Sequence, residues 1–271
     1  MARKRTDEDR EREWKRQDRI LKRLANEFAG QVRNDLQSAM RRMMNHWEQT
    51  GFVELPPLFY GELEATYKAM AIASVSTFGR NVLNQGKAAG VPIEVKEDLV
   101  QLLIRWAIEY ISSELIRQRI TYVSETTRQQ IVNAVEAGYA EGLGQREVAQ
   151  RILELVPELS DARANLIART ETHGAANYGA QRAAKYSGLP MRREWLAAKD
   201  KRTRAILRDD KFDHLSADGQ IVGMDEPFLI KREDGRMEAL MYPGDPRGSA
   251  GNTINCRCTV AYIVDESRLF D

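Results

Sequence analysis

Apolar residues recur at Leu21, Leu24, Phe28, Val32, Leu36, Met40, Met43 and Trp47, in alternating steps of three and four, which marks one face of a long helix from Ile20 to Gly51. A Pro-containing link, Leu55-Pro56-Pro57-Leu58, leads to a second helix around 61–85, whose apolar positions include Leu63, Tyr67, Met70, Val75, Phe78 and Val82. Beyond a breaker region from Gly86 to Pro92, two more helices fit 95–118 and 124–141. Leu143-Gly144 closes the latter, because glycine accepts the left-handed conformation past a helix C-terminus. A shorter helix over 145–155 precedes Pro157. Ser160 or Asp161 then caps a last long helix that runs to Tyr186 and ends at Gly188-Leu189-Pro190. The methionines and aromatic residues on these faces read as core.

After residue 190 the pattern shortens. Arg192–Ala198 reads as a strand with Trp195 and Ala197 on one face, followed by Gln220–Gly223, Phe228–Ile230 and Thr259–Val264. Asp218-Gly219 and Asp234-Gly235 are hairpin-type turns. The stretch Met241–Cys258, MYPGDPRGSAGNTINCRC, is dense in turn formers and runs straight into the last strand, so it reads as an anchored loop. The predicted fold class is α+β: a mostly helical N-terminal region followed by a small turn-rich α+β module with short antiparallel strands. The expected division is 1–120, a helical region that docks to a partner, and 121–271, a module with helices over 124–186 and strands over 192–266.

Composition bounds the function. With 271 residues, 42% of them hydrophobic, the chain can build a real core, and a formal charge of +1 means that any electrostatic attraction must be local. No apolar run is long enough to span a bilayer, and no apolar stretch follows the Arg-rich start, so neither a membrane anchor nor a signal peptide is expected. The first twenty residues mix both signs of charge, with Trp14 almost alone as a large apolar group; a partner in an assembly would order them. Two cysteines separated by one residue argue against a disulfide framework.

The candidate chemistry is sparse. Around Arg169, Glu171 and His173 the last long helix carries small and polar residues where large apolar ones would be expected. Glu171 and His173, two positions apart, point in different directions, so the reading is a polar seam made by Arg169, Glu171, His173, Asp200, Arg202, His214 and Asn255. Between Arg182 and Arg208 lie nine basic and two acidic residues, the strongest local bias in the chain. Arg182, Lys185, Arg192, Arg193, Lys201, Arg204 and Arg208 are the candidate DNA contacts. Cys256 and Cys258 with His214 form a candidate zinc set. The Cys-x-Cys spacing is shorter than the usual ligand gap, so buried reduced thiols are the simpler expectation and no cofactor is assigned. No nucleophile elbow, metalloprotease helix or phosphate-binding glycine loop occurs. Asp209, Asp210 and Asp213 beside His214 suggest a metal-dependent nuclease as the alternative.

Seven features occur in one order: Ala168-Arg169-Thr170-Glu171, Trp195, Asp200-x-Arg202-Thr203-Arg204, His214 with Asp218-Gly219, Phe228, Pro243-Gly244-Asp245-Pro246 and Asn255-Cys256-Arg257-Cys258. Together, over residues 125–265, they resemble the phage head morphogenesis family, the minor head or minor capsid proteins of the phage Mu F type. The resemblance implies a non-enzymatic virion component acting in head assembly or DNA delivery. Its implied partners are the portal, capsid or scaffold proteins and genomic DNA. Its implied place is the head interior or portal neck, after assembly in the host cytoplasm. In some phages the domain is joined to toxin modules, so a toxin-like module is a further alternative. Where some relatives carry a His-Pro or an extra cysteine, this chain has Thr253-Ile254-Asn255 and Arg204, which lowers the expectation of a metal.

Overall fold

The long apolar stripe becomes α1, Asp7–Thr50, and its start is set locally: Thr6 Oγ1 accepts from the Asp9 amide (3.2 Å) while the Asp9 carboxylate accepts from the Thr6 amide (3.1 Å). It ends at Gly51, whose φ of 78° is the left-handed cap expected of glycine. The computed structural model describes residues 5–88, 93 and 98–265. Four more long elements follow: α2 (Phe59–Ala88), α3 (Leu99–Ile111), α4 (Glu114–Ala140) and α5 (Gln145–Tyr186). Both α1 and α2 pack chiefly against α5. Val32, Leu36, Met40 and Met43 of α1, Leu63, Met70 and Val75 of α2, and Ile152, Val156, Ala168 and Ala176 of α5 share one buried cluster.

Two helix boundaries differ from the sequence expectation. The break expected between 118 and 124 lies at Ser112-Ser113, where Ser113 Oγ donates to the Tyr110 carbonyl (2.7 Å) and offers the backbone an alternative to a further helical bond. The stop expected at Pro157 is absent, and α5 runs through it. Val148, Ile152, Val156, Ser160 and Ala164 are all buried at four-residue spacing, and Gln37 of α1 donates to Ser160 Oγ (2.9 Å). Packing on α1 thus outweighs the one hydrogen bond that proline removes. The breaker expected at Gly86–Pro92 falls largely outside the described residues, as does the expected helix start at 95; α2 persists to Ala88.

The small module holds two three-stranded antiparallel sheets. In the first, β1 (Met191–Leu196) is central, with β3 (Ile221–Gly223) on one side and β6 (Thr259–Val264) on the other; Arg193 faces Val222 and Tyr262, and Trp195 faces Val260. In the second, the order is β2 (Phe212–Asp213), β4 (Phe228–Arg232) and β5 (Met237–Leu240), and the β4–β5 hairpin turns through Asp234-Gly235 as expected. Asp218-Gly219 is a turn, with Gly219 at φ 76°, but it joins strands of different sheets and makes no hairpin. A short 3-10 turn (Ile206–Arg208) and α6 (Ala250–Thr253) complete the module.

The charged first turns of α1 are held by the chain itself. Trp14 Nε1 donates to the Arg257 carbonyl (2.9 Å) and Gln17 to the Val260 carbonyl (3.1 Å), while Arg10 pairs with Asp218 (3.2 Å) and Glu194 (3.6 Å). An external partner is therefore not required to order this segment, contrary to the expectation from its composition. Removing the indole as Trp14→Ala is expected to cost about 1–2 kcal/mol for the lost bond and packing. Limited trypsin digestion of the purified chain checks this: the wild type should resist cleavage between Arg10 and Arg23, and the variant should be cut there about 5- to 30-fold faster, the population ratio that about 1–2 kcal/mol implies.

Candidate functional site

The small residues of α5 let the loop 241–258 lie directly on the helix. A Cβ at Gly174 would come within 3.2 Å of the Gly244 carbonyl, and one at Gly244 (φ 81°) within 2.9 Å of His173 Nδ1, so glycine is required on both sides of this contact. Polar bonds then fix the register. Arg169 donates to Asn255 Oδ1 (2.8 Å), the Asn255 amide to Thr170 Oγ1 (3.1 Å), and His173 Nε2 meets the Cys258 carbonyl at 2.6 Å. Asn255 takes a left-handed φ of 58°, which asparagine tolerates better than most residues. Arg257 forks onto Asp200, with Nη2 at 2.6 Å from Oδ1; the same oxygen accepts from the Arg202 amide at 2.9 Å. Burial works to raise the Asp200 pKa, but the bonds from Arg257, the Arg202 amide and Thr203 outweigh it and hold the carboxyl below its ordinary range.

The expected seam residues do not all meet. Arg169, His173 and Asn255 join α5 to the loop and Asp200 joins the turn after β1 to it through Arg257, whereas Glu171 turns away from His173 toward Arg119 of α4, 3.6 Å distant. Burial pushes the Glu171 carboxyl above its usual range and Arg119 partly offsets this. The Arg202 side chain is exposed and lines a cavity of about 230 Å³ with Arg169, His173, Cys256 and Arg257. Arg119 and Asn252 were missed by sequence reasoning, which read Asp218 only as a turn residue; each acts on a residue far along the chain, and no periodic signal marks these pairings.

His214 follows β2 and is buried edge-on to Trp195, with ring centroids 5.5 Å apart at 89°. Its Nε2 lies against Asn252 Oδ1, an atom that can only accept, so Nε2 carries the proton and Nδ1 offers a lone pair. That lone pair faces Cys256 Sγ at 3.6 Å and Cys258 Sγ at 3.5 Å. Burial raises both thiols. The neighbouring Cys256 sulfur holds Cys258 higher still, while the hydrogen bond from Cys258 holds Cys256 below the ordinary value. Among the described residues this is the group of His, Cys, Asp and Glu ligand atoms close enough to share one cation. The carboxylates expected beside His214 do other work: Asp213 accepts from the Ser216 amide (3.0 Å) and Asp210 from the Phe212 amide (3.3 Å).

The candidate DNA stretch is dispersed. Arg193 is fully buried and donates to the carbonyls of Gly223, Glu226 and Met241, so its assignment as a DNA contact is corrected. Arg182 pairs with Glu109 (2.8 Å) and Lys185 with Asp225 (2.6 Å), Arg204 donates to the Ile254 carbonyl (2.6 Å), and Arg208 to that of Asp200 (2.8 Å). Arg192 and Lys201 are exposed. Arginine gathers instead on α1, where Arg12, Arg16, Arg19 and Arg23, spaced four, three and four, line two adjoining surface grooves. Sequence reasoning passed over this stripe because it took the first twenty residues together, as one segment of mixed charge.

Fold and site together define a helix-clasped α+β module, whose polar residues mostly hold one another. Residues 129–261 match the phage Mu protein F like protein family, which supports a phage head morphogenesis family for this part of the chain. The chain is 28% identical over 185 residues to the NAD(+)--arginine ADP-ribosyltransferase EFV of Enterococcus faecalis (strain ATCC 700802 / V583); the alignment covers 67% of this chain and 34% of that protein. It thus spans about a third of that relative's length. It is also 24% identical over 261 residues to the uncharacterized protein YqbB of Bacillus subtilis (strain 168), covering 93% of this chain and 77% of that one. No solved structure matches the chain. No helix among the described residues is long and apolar enough to cross a membrane.

Proposed function

We propose that the chain is a minor head protein that binds other head proteins at the portal vertex and touches the packaged DNA, without an enzymatic step of its own. The match of residues 129–261 to the head morphogenesis family carries the reading. Two surfaces support it. A groove of about 490 Å³ between α4, α5 and the loop 241–258 exposes Leu115, Tyr122, Leu166 and Ile254 beside Arg119 and Arg163, an apolar patch with a charged edge suited to a protein partner. The arginine stripe on α1 gathers four guanidinium groups on one helix face, where Arg16 pairs with Glu13 (2.7 Å) and Arg12 with Asp9 (3.9 Å), and is a more concentrated footprint for DNA phosphates than the dispersed Arg182–Arg208 side chains. The transferase activity in the name of the Enterococcus faecalis relative does not transfer, since the alignment leaves two-thirds of that protein unmatched.

Mass spectrometry of separated heads and tails, with a map of the virion neck, tests the location: the chain is expected in heads at the portal, and its absence from heads would overturn the reading. Incubation with DNA and a divalent metal separates the alternatives. Binding that weakens with salt and leaves the DNA intact is expected, and Arg16→Glu with Arg19→Glu should abolish it while Arg192→Glu leaves it unchanged. Cleavage would favour the nuclease alternative.

A further inference from the structure

We propose that His214, Cys256 and Cys258 bind one Zn²⁺, through Nδ1 and two thiolates, and that this ion staples the loop 241–258 to the segment between β2 and β3. Three observations carry it. First, Zn–S bonds of about 2.3 Å and Zn–N bonds of about 2.05 Å at the tetrahedral angle place sulfur and nitrogen about 3.55 Å apart. The two separations here are 3.6 and 3.5 Å. Second, both sulfurs approach the same nitrogen at nearly equal distance, and one lone pair can accept only one directed S–H bond; a cation between the three atoms satisfies all of them. Third, the far side of the imidazole is fixed by Asn252 Oδ1, which sets the tautomer that leaves Nδ1 free. An oxygen acceptor behind a ligating histidine is the usual second layer of a zinc site.

The remaining tetrahedral position has a source. Cys256 also lines the cavity it shares with His173, Arg169 and Arg202, from which solvent can supply the fourth ligand. Both cysteines ligate as thiolates, so any thiol proton they carry is released to solvent on binding. The site also has a structural motive. The module's strands run from two to six residues, and His214 is 42 positions from Cys256. A module with so little sheet of its own gains from a metal clip between distant segments.

The full-length chain, purified under reducing conditions, tests this by elemental analysis and a free-thiol count, followed by removal of metal and titration with Co²⁺. Equimolar zinc is expected. The cobalt form should show sulfur-to-cobalt charge transfer in the near ultraviolet and the intense visible bands of a tetrahedral ion. Cys258→Ser should lose both. Asn252→Ala keeps all three ligands and is expected to bind cobalt about 10–100-fold more weakly. The wild-type cobalt spectrum stands even if a variant fails to fold. Absence of zinc together with absence of charge transfer, with both thiols titrating as free or joined as a disulfide, would overturn the proposal.

Discussion

Replacing Arg193 by methionine is expected to lower the unfolding free energy by about 2–4 kcal/mol, since three partly buried carbonyls lose a charged donor at roughly 1 kcal/mol or more each and the methionine stem keeps part of the packing. The guanidinium lies at the centre of the small module. Its Nη2 reaches the Gly223 carbonyl at 2.7 Å and also that of Glu226, its Nη1 reaches that of Met241 and Gln181 Oε1 (3.2 Å), and its face covers the Phe228 ring at 5.2 Å. One side chain on β1 thereby ties together the end of β3, the turn before β4, the start of the 241–258 loop and α5. Lysine cannot replace it, because a single ammonium does not span carbonyls from three segments; Arg193→Lys is expected to recover less than half of the loss. Urea denaturation followed by tryptophan fluorescence reads the difference, and a loss below about 1 kcal/mol, the net worth of one ordinary hydrogen bond, would show that the carbonyls find other donors.

The second large effect is expected at Gly179. A Cβ there would lie 2.6 Å from Val75 Cα and 2.9 Å from the Val75 carbonyl oxygen, both main-chain atoms of α2 that no rotamer change can move aside. Gly179→Ala should cost about 2–3 kcal/mol, the overpacking penalty reduced by the better helix propensity of alanine. Gly30→Ala on α1 is the matched comparison. Nothing lies within 4 Å of a Cβ at that position, so the same substitution is expected to stabilise by about 1 kcal/mol. Thermal unfolding of the two variants should therefore move the midpoint in opposite directions. Equal shifts would mean that α2 and α5 do not approach as closely as Gly179 and Val75 require.

Much of the fold could be read from residue order. The stripe from Leu21 to Trp47, the glycine stop at Gly51, the Asp234-Gly235 hairpin and the strand Thr259–Val264 all rest on signals confined to a few neighbouring positions, and all are present. Pro157 misled because its local cost is real and is outweighed only by the burial of Val156 and Ser160 against α1. Arg193 misled for a related reason: a basic residue in a basic run looks exposed until its carbonyl partners, 30 to 48 positions away, are known. The candidate site divides the same way. His214, Cys256 and Cys258 were visible as residue types of the right chemistry, while Asn252, which orients the ring, and Arg119, which pairs with Glu171, carried no mark.

By itself the sequence determined the α+β class, the long helical faces, the turn-rich loop 241–258 and the ordered motifs that resemble a phage head morphogenesis family, whose match covers residues 129–261. Each follows from periodicity, turn chemistry or motif order, which act over short spans. Tertiary structure alone decided that Trp14 reaches Arg257, 243 positions away, that Arg193 is interior, and that two thiols meet one imidazole nitrogen. Those outcomes depend on which distant groups satisfy one another once water is excluded, and burial makes an unpaired donor or acceptor too costly to leave alone.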